Sequence, residues 1–165
     1  MNSYSIKKRK DGTYIFPDHP EFRPNISPRD MFLAGILGGT YWRKLKNPFD
    51  SKYYVNDYKK IESLKDLPES IMSSSVYSTD KNKYKVKAGS SFETWLSHGW
   101  LRPTAFRGWI NWYSLFWEGV RTDDDTRQIK RWQSFMKRFG SRNPMSDTIK
   151  QNLLEWGWDV SPSHS

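Results

Sequence analysis

The fold of this chain is decided by the stretch Arg107-Gly-Trp-Ile-Asn-Trp-Tyr-Ser-Leu-Phe-Trp-Glu-Gly-Val-Arg-Thr-Asp-Asp-Asp-Thr-Arg-Gln-Ile-Lys-Arg-Trp132. Its aromatic residues predict a compact core, because each ring buries far more apolar area than a small aliphatic side chain. The arginines and lysines among them predict a surface that attracts anions. Eight of the nine tryptophans lie between Trp95 and Trp158, so we expect the C-terminal helices to form an aromatic-cored bundle.

Two helices are predicted in and beyond this stretch. Aromatic residues at helical spacing indicate one helix from about Thr104 to Glu118, ended by Gly119. They are Trp109, Trp112, Tyr113, Phe116 and Trp117. A second helix is expected after Asp123–Asp125, ended by Gly140. Its core-facing residues are Ile129, Trp132, Met136 and Phe139.

Three further helices are predicted from capping signals. They begin at Ser27-Pro28, at Ser90 or Ser91, and at Ser146-Asp147, and they end at Gly38-Gly39, Gly99 and Gly157. Residues 40–90 read as irregular, with short helices near 57–63 and 68–73 and an extended edge at Lys81–Lys87. The predicted fold is therefore mainly α, a compact aromatic-cored helical domain with an irregular, slightly β segment at 40–90.

Three units are expected along the chain. Residues 1–26, punctuated by prolines, read as an extended and loosely packed N-terminal arm, residues 27–160 as a single globular domain, and residues 161–165 as a disordered tail. Within the arm, Lys7-Lys-Arg-Lys10 is open to two interpretations. It is either a basic patch for nucleic acid or nuclear entry, or a solvated tail, and so short a run favours the tail.

Composition limits the class of function. The 165 residues carry a formal net charge of +9 and a pI near 9.7, which favours a nucleic-acid partner over a merely soluble basic surface. The absence of cysteine excludes disulfides and thiolate metal sites. No apolar run approaches the roughly 18 residues of a membrane helix, and no apolar stretch follows the basic N-terminus. We expect a cytoplasmic or nuclear protein, neither secreted nor membrane-bound.

The candidate nucleic-acid contacts are the basic residues of the helix predicted after Asp123–Asp125, with Arg121 before it and Arg43 and Lys44 after the glycine pair. A basic face could contact phosphates along one side of the helix, although a solvated amphipathic face would show the same pattern. The candidates are Arg43, Lys44, Arg121, Arg127, Lys130, Arg131, Lys137 and Arg138. Tyr41, Trp42 and Trp100 are candidate stacking platforms for bases, with burial in the core as the alternative.

Two loop motifs each have two interpretations. Gly38-Gly39, with Arg43 and Lys44 nearby, could form an anion-binding nest, or a tight turn that lets Tyr41 and Trp42 enter the core. Asp123-Asp-Asp125 could hold a hard cation, but acids in a first helical turn also cap free N–H groups and pair with nearby cations, and we favour that. No metal or cofactor is expected, and no catalytic motif is evident among three scattered histidines.

Several motifs resemble those of a widespread, largely uncharacterised family of small proteins in fungi, algae, bacteria and large DNA viruses or phages. They are Gly38-Gly-Thr-Tyr-Trp-Arg43, Tyr84-Lys-Val-Lys-Ala-Gly-Ser90, Phe92-Glu-Thr-Trp95, Gly99-Trp100, Gly108-Trp-Ile-Asn-Trp-Tyr113 and Asp124-Asp-Thr-Arg-Gln-Ile-Lys-Arg-Trp132. The resemblance covers roughly residues 28–157 and implies one domain and a viral setting. Family members often have Asp-Pro before the Gly-Trp pair, where this chain has Thr104-Ala-Phe-Arg107. The resemblance supplies no activity.

Three hypotheses for function remain at this stage. The leading one is a basic nucleic-acid-binding or nucleic-acid-associated protein that contacts phosphates through a basic helix face. The second is an enzyme acting on a nucleotide or a nucleic-acid base, with acid–base groups drawn from Asp123, Asp124, Glu93 or Glu118. The third is a protein-interaction module, such as a virion subunit or an inhibitor of a host protein, which would present a large exposed apolar patch.

Overall fold

Helices dominate the computed structural model, which describes residues 6–142 and 145–161. In the described residues the α-helices are α1 (Pro28–Ala34), α2 (Glu69–Met72), α3 (Phe92–Ser97), α4 (Trp109–Trp117), α5 (Asp125–Phe139) and α6 (Asp147–Leu154). The described residues also contain a short antiparallel strand pair, β1 (Leu45–Lys46) and β2 (Tyr53–Tyr54). Three short 3-10 helices lie elsewhere in the chain, at Leu37–Gly39, Asp57–Lys60 and Thr79–Lys81. The predicted mainly α fold with a slightly β segment is confirmed.

The core is built on the aromatic face of α4. Its buried rings at positions i, i+3, i+4 and i+7 are those of Trp109, Trp112, Tyr113 and Phe116. Phe22, fully enclosed, lies within 6.1 Å, centroid to centroid, of each of these four rings and of the Trp132 ring of α5. The rings meet edge-on or tilted, the arrangements that their quadrupoles favour. The helix begins at Trp109 rather than at Thr104, because residues 102–108 form turns.

The loose packing expected for residues 1–26 is wrong for the described part, residues 6–26. Phe16 and Phe22 are at most 1% exposed and belong to the main core. The chain there is extended and irregular, and Arg9 donates a hydrogen bond to the Tyr14 carbonyl at 2.7 Å. No periodicity signals this packing, because an irregular segment can insert single rings without a repeat. The Lys7–Lys10 run lies in the described chain, while residues 1–5 and most of the predicted tail lie outside it.

The capping signals are confirmed where they were strongest. Ser27, Ser91 and Ser146 each accept a hydrogen bond from the backbone N–H three residues later, at the start of α1, α3 and α6. At the start of α5, Asp125 Oδ2 accepts from the Thr122 N–H at 3.0 Å and Thr122 Oγ1 accepts from the Asp124 N–H at 3.2 Å, so side chains satisfy backbone donors at this end of the helix. The aspartate run therefore starts a helix, as predicted.

Two local predictions are wrong. α1 ends at Ala34 rather than at Gly38-Gly39, because Gly35 leaves the helical region with a φ of 109°. The Lys81 carbonyl oxygen packs against Gly35 and leaves no room for a Cβ there. The extended edge predicted at Lys81–Lys87 is a series of turns. Buried Asn82 fixes these turns: its Oδ1 accepts from the Gly38 N–H at 2.8 Å and its Nδ2 donates to the Val86 carbonyl at 2.8 Å. Side-chain hydrogen bonds thus replace a strand ladder.

A buried ion pair joins the irregular segment to α4. Arg107, 1% exposed, donates from Nη2 to Asp57 Oδ1 at 2.6 Å. Nη1 donates to the Tyr41 carbonyl at 2.9 Å, and Nη2 donates also to the Tyr54 carbonyl at 3.2 Å. Tyr41 returns a hydrogen bond from its hydroxyl to the Arg107 carbonyl at 2.9 Å and accepts one from the Asn111 N–H at 2.8 Å. This network places Tyr41 beside the start of α4.

We predict that Asp57→Ala lowers the free energy of unfolding by about 3–5 kcal/mol, because it leaves the buried Arg107 without its anionic partner. The measurement is urea unfolding followed by tryptophan fluorescence. Asp66→Ala is the matched control, since it breaks the exposed Arg29–Asp66 pair and is expected to change stability far less. Equal effects of the two substitutions would contradict the conclusion that the Arg107–Asp57 pair stabilises the fold.

Candidate nucleic-acid interface

A cavity of about 1030 Å³ lies beside α5. α5 forms one wall, the loop after α3 and the start of α4 form a second, and α6 with the residues after it forms a third. The aromatic rings of the lining are those of Tyr41, Trp95, Trp100, Trp109, Phe135, Phe139 and Trp156. The cations of the lining are Arg127, Lys130, Arg131 and Arg138. The cavity therefore combines apolar ring faces with positive charge.

The amphipathic pattern of α5 explains why both kinds of side chain meet here. Ile129 and Trp132 face the core and are buried. The basic residues of the lining recur at intervals of three, four and seven positions, which puts them along one side of the helix. Phe135 follows the same side and stacks on Trp156 with 5.0 Å between ring centroids. One helix thus supplies both the charge and part of the aromatic surface.

Arg131 lies between two tryptophans in this wall. Its guanidinium carbon is 5.6 Å from the Trp100 ring centroid and 5.4 Å from the Trp156 ring centroid. Nη1 donates to Gln128 Oε1 at 2.8 Å, and no described carboxylate oxygen lies within 4.0 Å of its nitrogens. Burial, reinforced by nearby Arg127, lowers the pKa of Arg131 to about 10. Arg131 is therefore a partly desolvated cation without a carboxylate partner, an arrangement that costs free energy.

The other cations of the cavity differ in their partners. Arg127 is bound to Asp124, with Nε to Oδ1 at 2.6 Å, and donates from Nη2 to the Trp100 carbonyl at 3.2 Å. It therefore holds the Trp100 loop against α5. Lys130 and Arg138 are exposed at the cavity. Arg138 also lies over the Phe139 ring, with 5.1 Å from the guanidinium carbon to the centroid.

Four of the eight predicted basic contacts do not line the cavity: Arg43, which lines an adjoining recess, and Arg121, Lys44 and Lys137. Arg121 Nε donates to Asp18 at 2.7 Å, and its guanidinium carbon lies 3.6 Å from the Phe116 ring centroid. Lys44 lies over the Tyr53 ring at 5.3 Å. Lys137 is exposed on α5 outside the cavity lining. The single predicted set of contacts is therefore divided, because spacing along α5 could not tell which residues border a concave surface.

The candidate stacking residues also divide. Trp42 is 1% exposed and packed against Phe32, Tyr41 and Tyr58, so it is a core residue and the stacking prediction for it is wrong. Tyr41 is 4% exposed, and its ring borders the cavity while its hydroxyl is held by the Arg107 network. Trp100 lines the cavity and stacks on His98, with centroids 4.6 Å apart. Of the three, Trp100 is the one that lines the cavity without being buried in the core.

A smaller recess of about 330 Å³ adjoins the cavity and shares Leu37, Tyr41 and Trp95 with it. Arg43, half-buried, lines this recess and donates to the Thr40 carbonyl at 3.2 Å. Burial is the main reason that the pKa of Arg43 is lowered. The Gly38 and Gly39 N–H groups donate within the protein, to Asn82 Oδ1 and to the Ile36 carbonyl. The tight-turn interpretation of the glycine pair is therefore confirmed, and an anion nest there is excluded.

Glu155 is the carboxyl group that sequence reasoning missed. It lines the cavity although it is only 5% exposed. Its Oε2 accepts from the Leu37 N–H at 3.2 Å and from Gln151 Nε2 at 3.1 Å. Burial raises the pKa of Glu155 to about 8, so the carboxyl is mainly protonated at neutral pH. A lone acid in a C-terminal segment has no pattern that would have singled it out.

The acids considered for catalysis are mostly elsewhere. Of Asp123, Asp124, Glu93 and Glu118, Asp123 alone lines the cavity. Asp124 pairs with Arg127, and Glu118 accepts from the Ser63 N–H at 3.2 Å. In residues 6–142 and 145–161, no three acidic or histidine side chains are grouped so as to hold a metal ion. In the same ranges every helix is too short or too polar to cross a membrane.

We predict that the wild-type free energy of unfolding falls from about pH 5 to about pH 8 by up to roughly 1.4 kcal/mol per pH unit on account of Glu155. The sign follows because the folded pKa lies above the unfolded one, near 4.5, so the folded state binds the extra proton in this window. Glu155→Gln keeps the acceptor and removes the titration, so its stability should lack this slope. Urea unfolding of both proteins across the window is the measurement; parallel slopes would contradict a buried neutral acid.

No protein-family model, curated protein or solved structure matches the chain. The resemblance to the family of small proteins therefore stays a prediction. The residues that line the cavity are therefore the basis for proposing a function.

Proposed function

We propose that this protein binds single-stranded nucleic acid in the cavity beside α5. Phosphates would pair with Arg131, Lys130 and Arg138, and bases would stack on the rings of Trp100 and Phe135. The observation that carries the proposal is Arg131, which is partly desolvated between two tryptophans and has no described carboxylate partner. An anion in the cavity would supply the missing partner, and the formal net charge of +9 favours its approach.

The shape and lining of the cavity favour single strands over a duplex. A duplex hides its base faces by stacking and presents phosphates on a convex surface. Rings in a recess can therefore reach only bases that are unstacked. The volume of about 1030 Å³ is at the upper end of the range for small-molecule pockets, which leaves room for more than one nucleotide. A cytoplasmic or nuclear location, where such a ligand is abundant, is part of the same proposal.

We predict that Arg131→Met weakens binding of a short fluorescent single-stranded oligonucleotide about tenfold or more, because a charge-assisted contact to a phosphate is lost. Lys137→Met is the matched control: it removes one positive charge from the same helix outside the cavity and should alter the affinity by no more than about threefold. Fluorescence anisotropy at low salt measures both, and circular dichroism checks that each variant is folded.

Salt dependence gives a second readout of the same contact. The affinity of the wild type should fall steeply with salt, and Arg131→Met should flatten the logarithmic slope by about 0.7, the value for one phosphate contact on a single strand. Absence of oligonucleotide binding by the wild type at low salt would refute the proposal. So would equal losses of affinity in Arg131→Met and Lys137→Met.

An enzyme acting on a nucleotide or base is the second candidate, and the presence of Glu155 in the cavity is the observation that favours it. A buried carboxyl that titrates near neutrality is suited to proton transfer. Mass spectrometry of oligonucleotides and nucleotides after incubation with the protein tests this candidate. Unchanged substrate masses would leave binding as the proposed function.

The third hypothesis, a protein-interaction module, has less support. In the described chain the large exposed aromatic side chains are those of Phe49 and Tyr53, on and beside the β1–β2 hairpin. Two rings are fewer than a contiguous interaction patch usually contains. Nothing in the described structure indicates what would cover them.

A further inference from the structure

At the end of the cavity beside Gly89 the lining includes polar groups as well as rings. Glu155 and Asn152, on and just after α6, border the cavity there together with Gly89. A Cβ atom on residue 89 would lie 3.1 Å from Glu155 Oε1 and 3.8 Å from Asn152 Oδ1. Gly89 therefore packs closely against the two polar groups, and a side chain there would crowd Glu155 Oε1. The aromatic ring of Trp156, next along the chain, borders the same cavity.

The hydrogen bonds of Glu155 determine what it presents to a ligand. Its Oε2 accepts two N–H groups, from Leu37 and from Gln151, so the proton of the neutral acid belongs on Oε1. Oε1 has no hydrogen-bond partner among the described residues, although the side chain is almost completely buried. Oε1 is not among the fully enclosed polar atoms that lack a partner in the described chain, so the acceptor of a ligand can reach it. The side-chain amide of Asn152 likewise makes no hydrogen bond within the described chain and supplies both a donor and an acceptor.

We infer that this end of the cavity is a base-recognition pocket, in which one unstacked nucleobase of a bound strand meets Glu155 Oε1–H and the Asn152 amide with its edge and an aromatic ring with its face. The inference rests on the proposed function and deepens it. Phosphate contacts give affinity without base preference, whereas edge contacts give preference. The neutral acid offers one hydrogen-bond donor, and the amide offers both a donor and an acceptor. Nucleobases differ in the acceptors and donors along their edges, so such a pair of groups can distinguish them.

The experiment compares oligonucleotides of equal length whose bases are all adenine, all cytosine, all thymine or all absent. The last has the same phosphates on an abasic backbone. We expect the wild type to bind one of the base-bearing strands at least about fivefold more tightly than another, the discrimination that one neutral hydrogen bond provides. We expect the abasic strand to bind more weakly than any of them, because stacking is lost.

The test variant is Asn152→Ala, which removes the amide from α6 and introduces a good helix former. In this variant the difference of about fivefold in affinity between base-bearing strands should disappear, and the affinity for the abasic strand should stay unchanged. Thr148→Ala is the matched control, since Thr148 is exposed on the same helix outside the cavity lining. Glu155→Gln should keep the preference, because its amide N–H replaces the acid O–H while its carbonyl keeps the two accepted bonds.

The outcomes separate the two proposals. If the wild type binds none of the strands, the proposed function fails and this inference fails with it. If all four strands bind equally, nucleic-acid binding stands and the base-recognition pocket is overturned. A preference that survives Asn152→Ala, or one that Glu155→Gln abolishes, would also overturn it, because the base would then be read elsewhere or by a carboxylate.

Discussion

The buried ion pair between Arg107 and Asp57 is the interaction on which the rest of the structure depends. Long stretches between α1 and α3 have little regular secondary structure, so their backbone groups need partners from outside any ladder. Arg107 provides several at once, because it binds Asp57 and the carbonyls of Tyr41 and Tyr54 from one nearly inaccessible position. A lysine could not reproduce this fork of donors.

The same network positions the cavity. Tyr41 is fixed by hydrogen bonds to the turn before α4, and its ring then borders both the large cavity and the adjoining recess. α5 closes the opposite wall, anchored by the hydrogen bonds between Thr122 and Asp125 and by the hydrogen bond from Trp112 Nε1 to Asp125 Oδ1 at 2.8 Å. The walls are therefore held by buried polar contacts. Arg131 and Glu155 lie in these walls: Arg131 has no carboxylate partner among the described residues, and Glu155 Oε1 has no hydrogen-bond partner there.

Sequence reasoning recovered the parts of the fold that depend on local signals. Serine caps and helical spacing gave the helices α1, α3, α5 and α6 to within a few residues at their starts, and aromatic spacing gave the core face of α4. The insertion of Phe16 and Phe22 into the core was missed, since an irregular segment carries no repeat. The end of α1 was misplaced for a similar reason: the approach of Lys81 to Gly35 is a long-range contact.

The candidate site was predictable only in part. The basic side of α5 follows from spacing, but which cations border a cavity depends on where other elements pack. Arg121 and Lys44 looked equivalent to Arg131 in sequence. In the structure, however, Arg121 pairs with Asp18 and Lys44 lies over the Tyr53 ring. Trp156 and Glu155 join the site because α6 brings them beside α5, and no motif in the chain signals that meeting.

The central claim is that a single strand lies in the cavity beside α5. Photo-crosslinking of a thiouridine-containing oligonucleotide to the intact protein, followed by peptide mapping, tests it most directly. If the strand binds there, we expect crosslinks to the cavity residues Trp100, Phe135 and Trp156. Crosslinks confined to the surroundings of Lys44, Arg121 or Lys137, outside the cavity, would contradict it.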